Sequence, residues 1–376
     1  MATVFAVTEV MRIQIGQRLR AARERAGLSQ AEVCRRTALG ESTLSELEND
    51  RRSPSLAQLD LLARTYARSV ASFLSDAEAA TTTVLWRKRP AEGAEELEAK
   101  FLRLIEQYAN LERWCNDVAS CRIPDVQKPP QAFCVADAEE LARVVRRDLG
   151  LGDRPALSLL RVLEEECGVK LFHLPFEPTG TAACARSDDY GIAILLNSKN
   201  VRWRRNFDLA HELFHVLTWN IFRPESPSGG EREEQLADAF ASTLLLPEEA
   251  LRSALNRRRI EKKLSTAAVF DLARDFDVSI DAIVWRLHTL FGVKDRGYTK
   301  QRIDAFRAAA PLYEERTKDV PPTRPERFHA LAVTAIRSGD LAIGRFAEYL
   351  GITRGEAMKF VEQEAPLDEA MELPAS

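Results

Sequence analysis

Two histidines and an acidic residue lie within one short stretch of the chain, His211-Glu212-Leu213-Phe214-His215. Residues four apart on a helix lie about 40° apart around its axis and one turn along it, so both imidazoles can reach one metal ion. The carboxylate of Glu212 lies beside them, where it can take a proton from a metal-bound water. This H-E-x-x-H spacing is the one that zinc-dependent peptide hydrolysis uses. We therefore predict Zn²⁺ held by His211 and His215, with Glu212 as the catalytic base.

A second acidic segment, which begins at Glu231, can complete the metal site. Catalytic zinc keeps three protein ligands and leaves one position to water. Glu234 is the predicted third ligand, and Asp238, four residues on, can accept the free N–H of a ligating histidine and fix its tautomer. Glu233 is the alternative ligand, because acidic residues also gather at the start of ordinary helices. The spacing to the apolar run that follows favours Glu234.

The segments around these residues predict the elements that must position them. Residues 157–168 have the pattern of an amphipathic helix, and residues 169–174, 181–185 and 190–196 have the lengths and patterns of strands. An apolar stripe around the two histidines predicts a helix there. Together these elements predict an α+β fold with a small antiparallel sheet beside the zinc helix. In such folds an edge strand can bind a peptide substrate by strand addition.

Three segments of the chain resemble the ImmA/IrrE metallopeptidase family: Arg205-Asn206-Phe207-Asp208-Leu209-Ala210-His211-Glu212-Leu213-Phe214-His215, Glu234-x-x-Ala237-Asp238-x-Phe240-Ala241 and Leu244-Leu245-Leu246-Pro247. The resemblance extends over about residues 155–292 and implies a zincin-like fold. It also implies that the two histidines and the downstream glutamate hold zinc, and that the glutamate of the motif is the base. Phe214 and Leu236 depart from the residues that are frequent in the family, but neither change removes a ligand.

The amino-terminal residues have the pattern of a helical DNA-binding module. Residues 12–26 predict a first helix, and Ser29 with Glu32 forms a capping box before a second helix over residues 30–37. A third helix is predicted over residues 41–49, and a fourth begins near Pro54. The pattern resembles the phage-repressor (XRE) type of helix-turn-helix over about residues 13–75, and it predicts an all-α domain. The residues that carry the resemblance are Gly27-Leu28-Ser29-Gln30-Ala31-Glu32, Thr43-Leu44-Ser45-x-Leu47-Glu48-Asn49 and Pro54.

By this resemblance the module binds double-stranded DNA through a set of polar residues. Those expected to face the major groove are Gln30, Glu41, Ser42, Ser45 and Glu46, and those expected near phosphates are Arg51 and Arg52. The first 75 residues carry a net charge of +3 against -4 for the whole chain, which has the sign that nucleic acid requires. Glutamates repel the DNA backbone, so a module that binds protein or forms a homodimer is the alternative.

The remaining regions predict helices and no chemistry of their own. Residues 77–154 are interpreted as a helical connector, in which Trp86-Arg87-Lys88-Arg89 is a solvated basic linker. Residues 293–376 predict a helical carboxy-terminal region, either a second helix-turn-helix or a small bundle. Three arginines near the start of the zinc helix are expected to face solvent, with an acidic substrate or a nucleic-acid effector as the alternative. They are Arg202, Arg204 and Arg205.

Composition limits the class of protein and its compartment. The 376 residues are 45% hydrophobic and include no apolar stretch long enough to span a bilayer, so we expect two or three globular domains and no membrane partner. The six cysteines are scattered without a C-x-x-C pair, which is typical of reduced thiols in a cytoplasmic protein.

These features favour a zinc endopeptidase coupled to a DNA-binding module. The predicted domains are residues 1–76 for the helix-turn-helix, 77–154 for the connector, 155–292 for the peptidase and 293–376 for the tail. The family resemblance implies a restricted protein substrate, a repressor often itself of the helix-turn-helix type, cut in a stress or phage response. The alternative is a transcription regulator or antitoxin that uses the peptidase fold for sensing or partner binding without proteolysis.

Overall fold

The chain forms two compact units, each of which is assembled from separated segments. The first contains residues 1–81, 106–118 and 326–376, and the second contains residues 82–105 and 119–325. The residues predicted as one connector are therefore divided between the two units. A computed structural model of the chain describes residues 15–24, 26, 28–66, 70–74, 84–117, 126, 132–178, 181–187, 190–222, 230–258, 264–293, 295–309 and 319–364.

The first unit contains the predicted helix-turn-helix. Its helices are α1 (residues 15–24), α2 (Gln30–Thr37), α3 (Glu41–Glu48), α4 (Leu56–Thr65) and α5 (Val70–Leu74). The Ser29 hydroxyl accepts from the backbone N–H of Glu32, and the Glu32 side chain accepts from the backbone N–H of Ser29, so the capping box is confirmed. Leu19, Val33 and Leu44 are fully buried among these helices and form the centre of a small core. Of the predicted first helix, residues 12–14 and 25 lie outside the described part of the chain.

The carboxy-terminal segment of the first unit is helical, as predicted. It contains α15 (Glu326–Arg337), α16 (Ile343–Leu350) and α17 (Arg354–Glu364), and it packs on the end of α6 (Ala94–Trp114). The rings of Tyr108 and Phe328 meet edge to face at 5.4 Å, and those of Trp114 and Tyr349 stack at 6.2 Å. Gly351 ends α16 with a φ of 69°, a left-handed conformation that glycine adopts without strain.

The second unit contains a four-stranded mixed sheet. Its strands are β1 (Val84–Trp86), β2 (Lys170–Leu174), β3 (Ala182–Ser187) and β4 (Gly191–Asn197), in the order β1-β3-β4-β2. The expectation of a wholly antiparallel sheet is wrong for one pairing, because β2 runs parallel to β4. The strands β3 and β4 form an antiparallel hairpin, and β2 lies on the far side of β4 instead of beside β3. Because β2 and β3 run in opposite directions, β2 is parallel to β4 when it pairs with β4 instead of with β3. The strand β1, which lies within the predicted connector, was not expected.

The helices of the second unit cover this sheet and enclose the main core. They are α7 (Val135–Asp148), a 3₁₀ turn (Pro155–Leu157), α8 (Leu159–Arg161) continued by a π-helical turn (Val162–Glu166), α9 (Arg202–Leu217), α10 (Glu231–Leu245), α11 (Glu248–Arg257), α12 (Thr266–Phe276), α13 (Ile280–Leu290) and α14 (Arg296–Ala308). The helix α9 packs on β3, β4 and α10, and α10 also packs on α7. No helix in the described ranges is long and apolar enough to cross a membrane.

Candidate metal centre

The H-E-x-x-H segment is helical and lies deep in the second unit. It occupies the last two turns of α9, where His211 and His215 are 0% and 2% exposed. The Nε2 atoms of the two rings are 3.2 Å apart, so both point to one place. Phe214 is fully buried between the rings of Phe133 and Phe240, at 6.0 and 5.7 Å, so it fills the core beneath the motif.

The helix α10 brings Glu234 to the same place. Its Oε2 lies 3.2 Å from Nε2 of His211, and its Oε1 lies 3.4 Å from Nε2 of His215. One potential ligand atom from each of the three residues lies within 4.8 Å of the others. Two imidazoles and one carboxylate are the donor set of many catalytic zinc sites, and such sites leave a further position for water. The three predicted ligands are thus brought together, in an arrangement that fits one metal ion.

Two further carboxylates face the other nitrogens of the histidine rings. Asp238 Oδ1 lies 2.9 Å from Nδ1 of His211, and Glu233 Oε1 lies 2.8 Å from Nδ1 of His215. A carboxylate at Nδ1 holds the proton there and leaves Nε2 free to bind a metal. Asp238 therefore occupies the place predicted for it. Glu233, the alternative ligand in the sequence analysis, instead lies where it can orient His215.

The charges of the centre favour a cation. Burial opposes protonation of His215, but its hydrogen bonds with Glu233 and Glu234 outweigh burial and raise its pKa to about 10. Burial likewise opposes ionisation of Glu234. Its hydrogen bonds with His211 and His215 outweigh burial and lower its pKa to about 2. Both shifts have one cause, because several carboxylates surround two imidazoles in a partly buried space. Positive charge is stabilised there, which is the condition that also favours a bound dication.

Glu212 lies on α9 between the two histidines and is fully buried. No described nitrogen or oxygen donates a hydrogen bond to either of its carboxylate oxygens. Its near neighbours include the buried thiol of Cys184 on β3, which is a weak donor. Burial raises the pKa of Glu212, and the charges of the two histidines oppose that rise. A buried carboxylate with a raised pKa and unused acceptor positions is suited to accept a proton from a small molecule beside it.

The centre is more accessible from α10 than from α9. The side chains of Glu234 and Asp238 are 24% and 49% exposed, whereas that of His211 is fully buried. Of the three candidate ligands, Glu234 is thus the one with surface exposed to solvent.

Arg87 is a residue of the centre that the sequence analysis missed. Its guanidinium lies 2.9 Å from Asp238 Oδ1 and 3.3 Å from Asp208 Oδ1, and its Nε lies 3.8 Å from Glu234 Oε2. The interpretation of residues 86–89 as a solvated linker is therefore wrong for this side chain. The apolar run of Val84 and Leu85 before the basic residues is the signal that could have indicated a strand.

The arginines at the start of α9 are engaged within the second unit. Arg202 pairs with Asp277 at 2.8 Å, and Arg204 pairs with Asp208 at 2.9 Å. Arg205 is 5% exposed, donates to the backbone carbonyl of Asn200 and pairs with Asp319 at 2.6 Å. The expectation of a cluster without partners is thus wrong, since each arginine pairs with an aspartate of the same unit. The expectation that they face solvent holds for Arg202 and in part for Arg204, which are 51% and 36% exposed, but not for the buried Arg205.

The residues predicted to contact DNA lie in two different environments. Glu41, Ser42 and Glu46 on α3 are exposed, as are Arg51 and Arg52 after it, while Ser45 is half-buried. Gln30, at the start of α2, is half-buried, and its Nε2 donates to Oε2 of Glu48 at 2.9 Å. Glu48 is buried and also accepts from Arg23 at 2.6 Å. One side of α3 is thus open to a partner, while the side chain of Gln30 is held by its hydrogen bond to the buried Glu48.

Two family models match the chain. A helix-turn-helix domain matches residues 14–72, and an IrrE N-terminal-like domain matches residues 164–288. The second match includes the whole of α9 and α10, and Arg87 lies upstream of it. No curated protein matches the chain. The chain therefore carries a helix-turn-helix domain followed by an IrrE N-terminal-like domain, which confirms both resemblances found in the sequence.

Proposed function

We propose that this protein is a zinc-dependent endopeptidase coupled to a DNA-binding module, and that it cleaves a specific regulatory protein. The observation that carries the proposal is the meeting of His211, His215 and Glu234 around one position with the buried carboxylate of Glu212 beside it. A zinc site that served structure alone would normally close with a fourth protein ligand and would have no use for a base. The match to an IrrE N-terminal-like domain supports the same reaction class.

Each polar residue of the centre has a distinct part in this mechanism. His211, His215 and Glu234 would hold the zinc, and zinc there would lower the pKa of a coordinated water and polarise the scissile carbonyl. Glu212 takes the proton of the attacking water and returns it to the leaving amine. Its burial raises its pKa, which brings the carboxylate nearer to the pH at which it must both accept and release a proton. Asp238 and Glu233 hold the two imidazoles in their reactive orientation.

The helix-turn-helix domain gives the peptidase a regulatory setting. We infer that it binds duplex DNA through the exposed side of α3, with Arg51 and Arg52 near the phosphates. The substrate class proposed is a repressor of the helix-turn-helix type, cut in a stress or phage response, because the family resemblance implies that class. The competing function is a regulator or antitoxin in which the peptidase fold binds a partner without cutting it.

The substitution Glu212→Gln separates these functions, because an amide keeps the shape of the carboxylate but cannot accept the proton. The full-length protein and its variants would be expressed in the native host, and new amino termini among helix-turn-helix proteins would be measured by mass spectrometry. Cleavage should fall by about 10²–10⁴-fold in Glu212→Gln. Zinc content should stay the same.

Glu249→Gln is the matched control, since Glu249 is an exposed glutamate on α11 in the same unit. It should cleave like the wild type. Identical new amino termini in wild type and Glu212→Gln would contradict the endopeptidase function and favour the non-catalytic regulator.

A further inference from the structure

We propose that Arg87 is a positioning residue of the metal centre, which holds Asp238 and through it the ligand His211. The inference rests on the zinc site of the proposed function and names a residue outside the matched IrrE N-terminal-like region of residues 164–288. The arginine directly follows β1, a strand that precedes that region by many residues. The centre would thus depend on a part of the chain that neither motif contains.

The backbone on both sides of Arg87 is fixed to the sheet. Its own N–H donates to the carbonyl of Ala182 at 3.2 Å and continues the pairing of β1 with β3. The next residue, Lys88, donates its N–H to the hydroxyl of Thr181 and accepts from that hydroxyl with its carbonyl, at 3.0 and 2.9 Å. Trp86 is fully buried, and its indole N–H donates to Glu98. The strand therefore fixes the point from which the side chain of Arg87 leaves the backbone.

The guanidinium of Arg87 connects the two helices that carry the candidate ligands. It contacts Asp208 on α9 and Asp238 on α10, and it lies near Glu234 on α10. The atom of Asp238 that receives Arg87 is Oδ1, the same atom that faces Nδ1 of His211. Arg87, Asp238 and His211 thus form a continuous chain of charged hydrogen bonds that ends at the metal position.

Electrostatics favour a further cation at this place, in addition to the Arg204 that pairs with Asp208. Asp208, Glu234 and Asp238 are three carboxylates close to one another, and like charges would push them apart without a counter-charge. The planar guanidinium can serve several carboxylates at once, which a lysine ammonium does less well. It also lies over the ring of Phe207, at 5.6 Å from the ring centroid, which limits its motion. The side chain is only 18% exposed, so water screens these contacts incompletely.

The test measures zinc affinity in the full-length protein, with Zn²⁺ alone as the probe and a chromogenic chelator as competitor. Arg87→Met keeps an unbranched side chain and removes the guanidinium with its charge, and it should weaken zinc binding by about 10–100-fold, the usual loss when a ligand's outer partner is removed. Arg87→Lys should give a smaller loss. Arg89→Met is the matched control, because Arg89 lies two residues on and pairs with Glu98 at 2.9 Å instead of with the centre. Its zinc affinity should equal that of the wild type.

A double-mutant cycle tests the route through Asp238. If Arg87 acts through that carboxylate, the double variant Arg87→Met with Asp238→Asn should lose no more zinc affinity than Asp238→Asn alone. Losses that multiply would overturn the proposed route, as would an Arg87→Met affinity equal to that of Arg89→Met. Circular dichroism of the metal-free proteins shows whether each variant folds. If Arg87→Met does not fold, Arg87→Lys replaces it in the same cycle, alone and combined with Asp238→Asn.

The outcomes also separate this inference from the proposed function. A wild-type protein that binds no zinc would overturn both. Zinc binding by the wild type with no effect of Arg87→Met would overturn the role of Arg87 alone, and the Glu212→Gln experiment would still decide the endopeptidase function.

Discussion

The two histidines of α9 and the exposed side of α3 both carry candidate functional residues, yet the protein holds them differently. His211 and His215 are buried, and each ring has a carboxylate at Nδ1 and Glu234 at Nε2. Glu41 and Glu46 on α3 extend into solvent. The donors of the metal centre are therefore held by the protein's own hydrogen bonds, whereas the side chains of α3 can adjust to a partner.

The difference follows from the size of what each region would bind. A single ion gains from a few short contacts, so its donors must be fixed to within a fraction of an ångström. A duplex or a protein offers many weak contacts, so the reading surface can remain exposed if the helix beneath it is rigid. Both regions achieve rigidity in a similar way. Arg87 binds the carboxylate behind His211, and Arg23 binds the carboxylate of Glu48, which also holds Gln30.

The largest expected effect comes from substituting, one at a time, the two neighbouring glutamates of the centre. Glu234→Gln should weaken zinc binding by about 10²–10⁴-fold, because one of the three protein ligands is lost. Glu233→Gln should cost only about 10–100-fold, because it disturbs the far nitrogen of His215. Competition with a chelator measures both. The reverse order would show that Glu233 is the ligand, and equal affinities for both variants and the wild type would remove the zinc site from this position.

Much of this centre can be predicted from the sequence, because the patterns that determine it lie within short segments of the chain. The spacing of His211 and His215 within one helix is sufficient to place both imidazoles, and the capping box of Ser29 is sufficient to begin α2. The predicted strands at residues 169–174, 181–185 and 190–196 lie within two residues of β2, β3 and β4 at each end. Local pattern determines such elements.

The features that local pattern leaves open or does not show depend on contacts between residues distant in sequence. The spacing to the apolar run favours Glu234 over Glu233, but only the packing of α10 on α9 brings Glu234 to the two Nε2 atoms and Glu233 to Nδ1 of His215. The parallel pairing of β2 with β4 depends on which edge β2 joins, which its own residues do not encode. Arg87 reaches the centre only because β1 pairs with β3, a contact across a long stretch of chain. The pattern of apolar residues within a short segment does not show which distant segments pair or pack together.

A second substitution tests whether the pair of Arg23 and Glu48 stabilises α3. Arg23→Met removes the partner of Glu48, whose side chain is only 2% exposed. It should reduce the stability of the helix-turn-helix by about 2 kcal/mol, somewhat below the roughly 3–5 kcal/mol of a fully buried pair, because Arg23 is itself 12% exposed. Hydrogen exchange of the α3 amides in the full-length protein measures the loss.

The neighbouring pair of Arg20 and Glu24 supplies the control for this substitution. Both side chains are more than half exposed and water screens the pair, so Arg20→Met should leave the exchange rates of the α3 amides close to those of the wild type. If the α3 amides exchanged at the same rates in Arg23→Met and Arg20→Met, the buried pair of Arg23 and Glu48 would not stabilise α3. Arg23 would then have no role comparable to that proposed for Arg87.

The smallest expected effect concerns what the exposed side of α3 binds. Arg51→Ala with Arg52→Ala should weaken binding to a duplex from the protein's own promoter by about tenfold at low salt. It should reduce the slope of log affinity against log salt by about 1.8, because each phosphate contact contributes about 0.9. Arg161→Ala, at an arginine whose side chain is 72% exposed in the other unit, should leave the slope unchanged. A slope that the double variant does not alter would contradict phosphate contacts at these positions.

Glu41→Gln with Glu46→Gln then decides between DNA and a protein as the partner. Near a duplex these carboxylates repel phosphates, and an amide of the same shape removes the repulsion and can donate to base edges. Affinity for the duplex should therefore rise a few-fold, and the gain should shrink at high salt, because the Debye length falls from about 10 Å at 0.1 M to about 3 Å at 1 M. If α3 binds a protein or a second copy of the chain, the same variant should leave duplex affinity unchanged while the mass of the assembly, measured by light scattering, falls. That second result would keep the rigid helix but replace DNA by a protein as its partner.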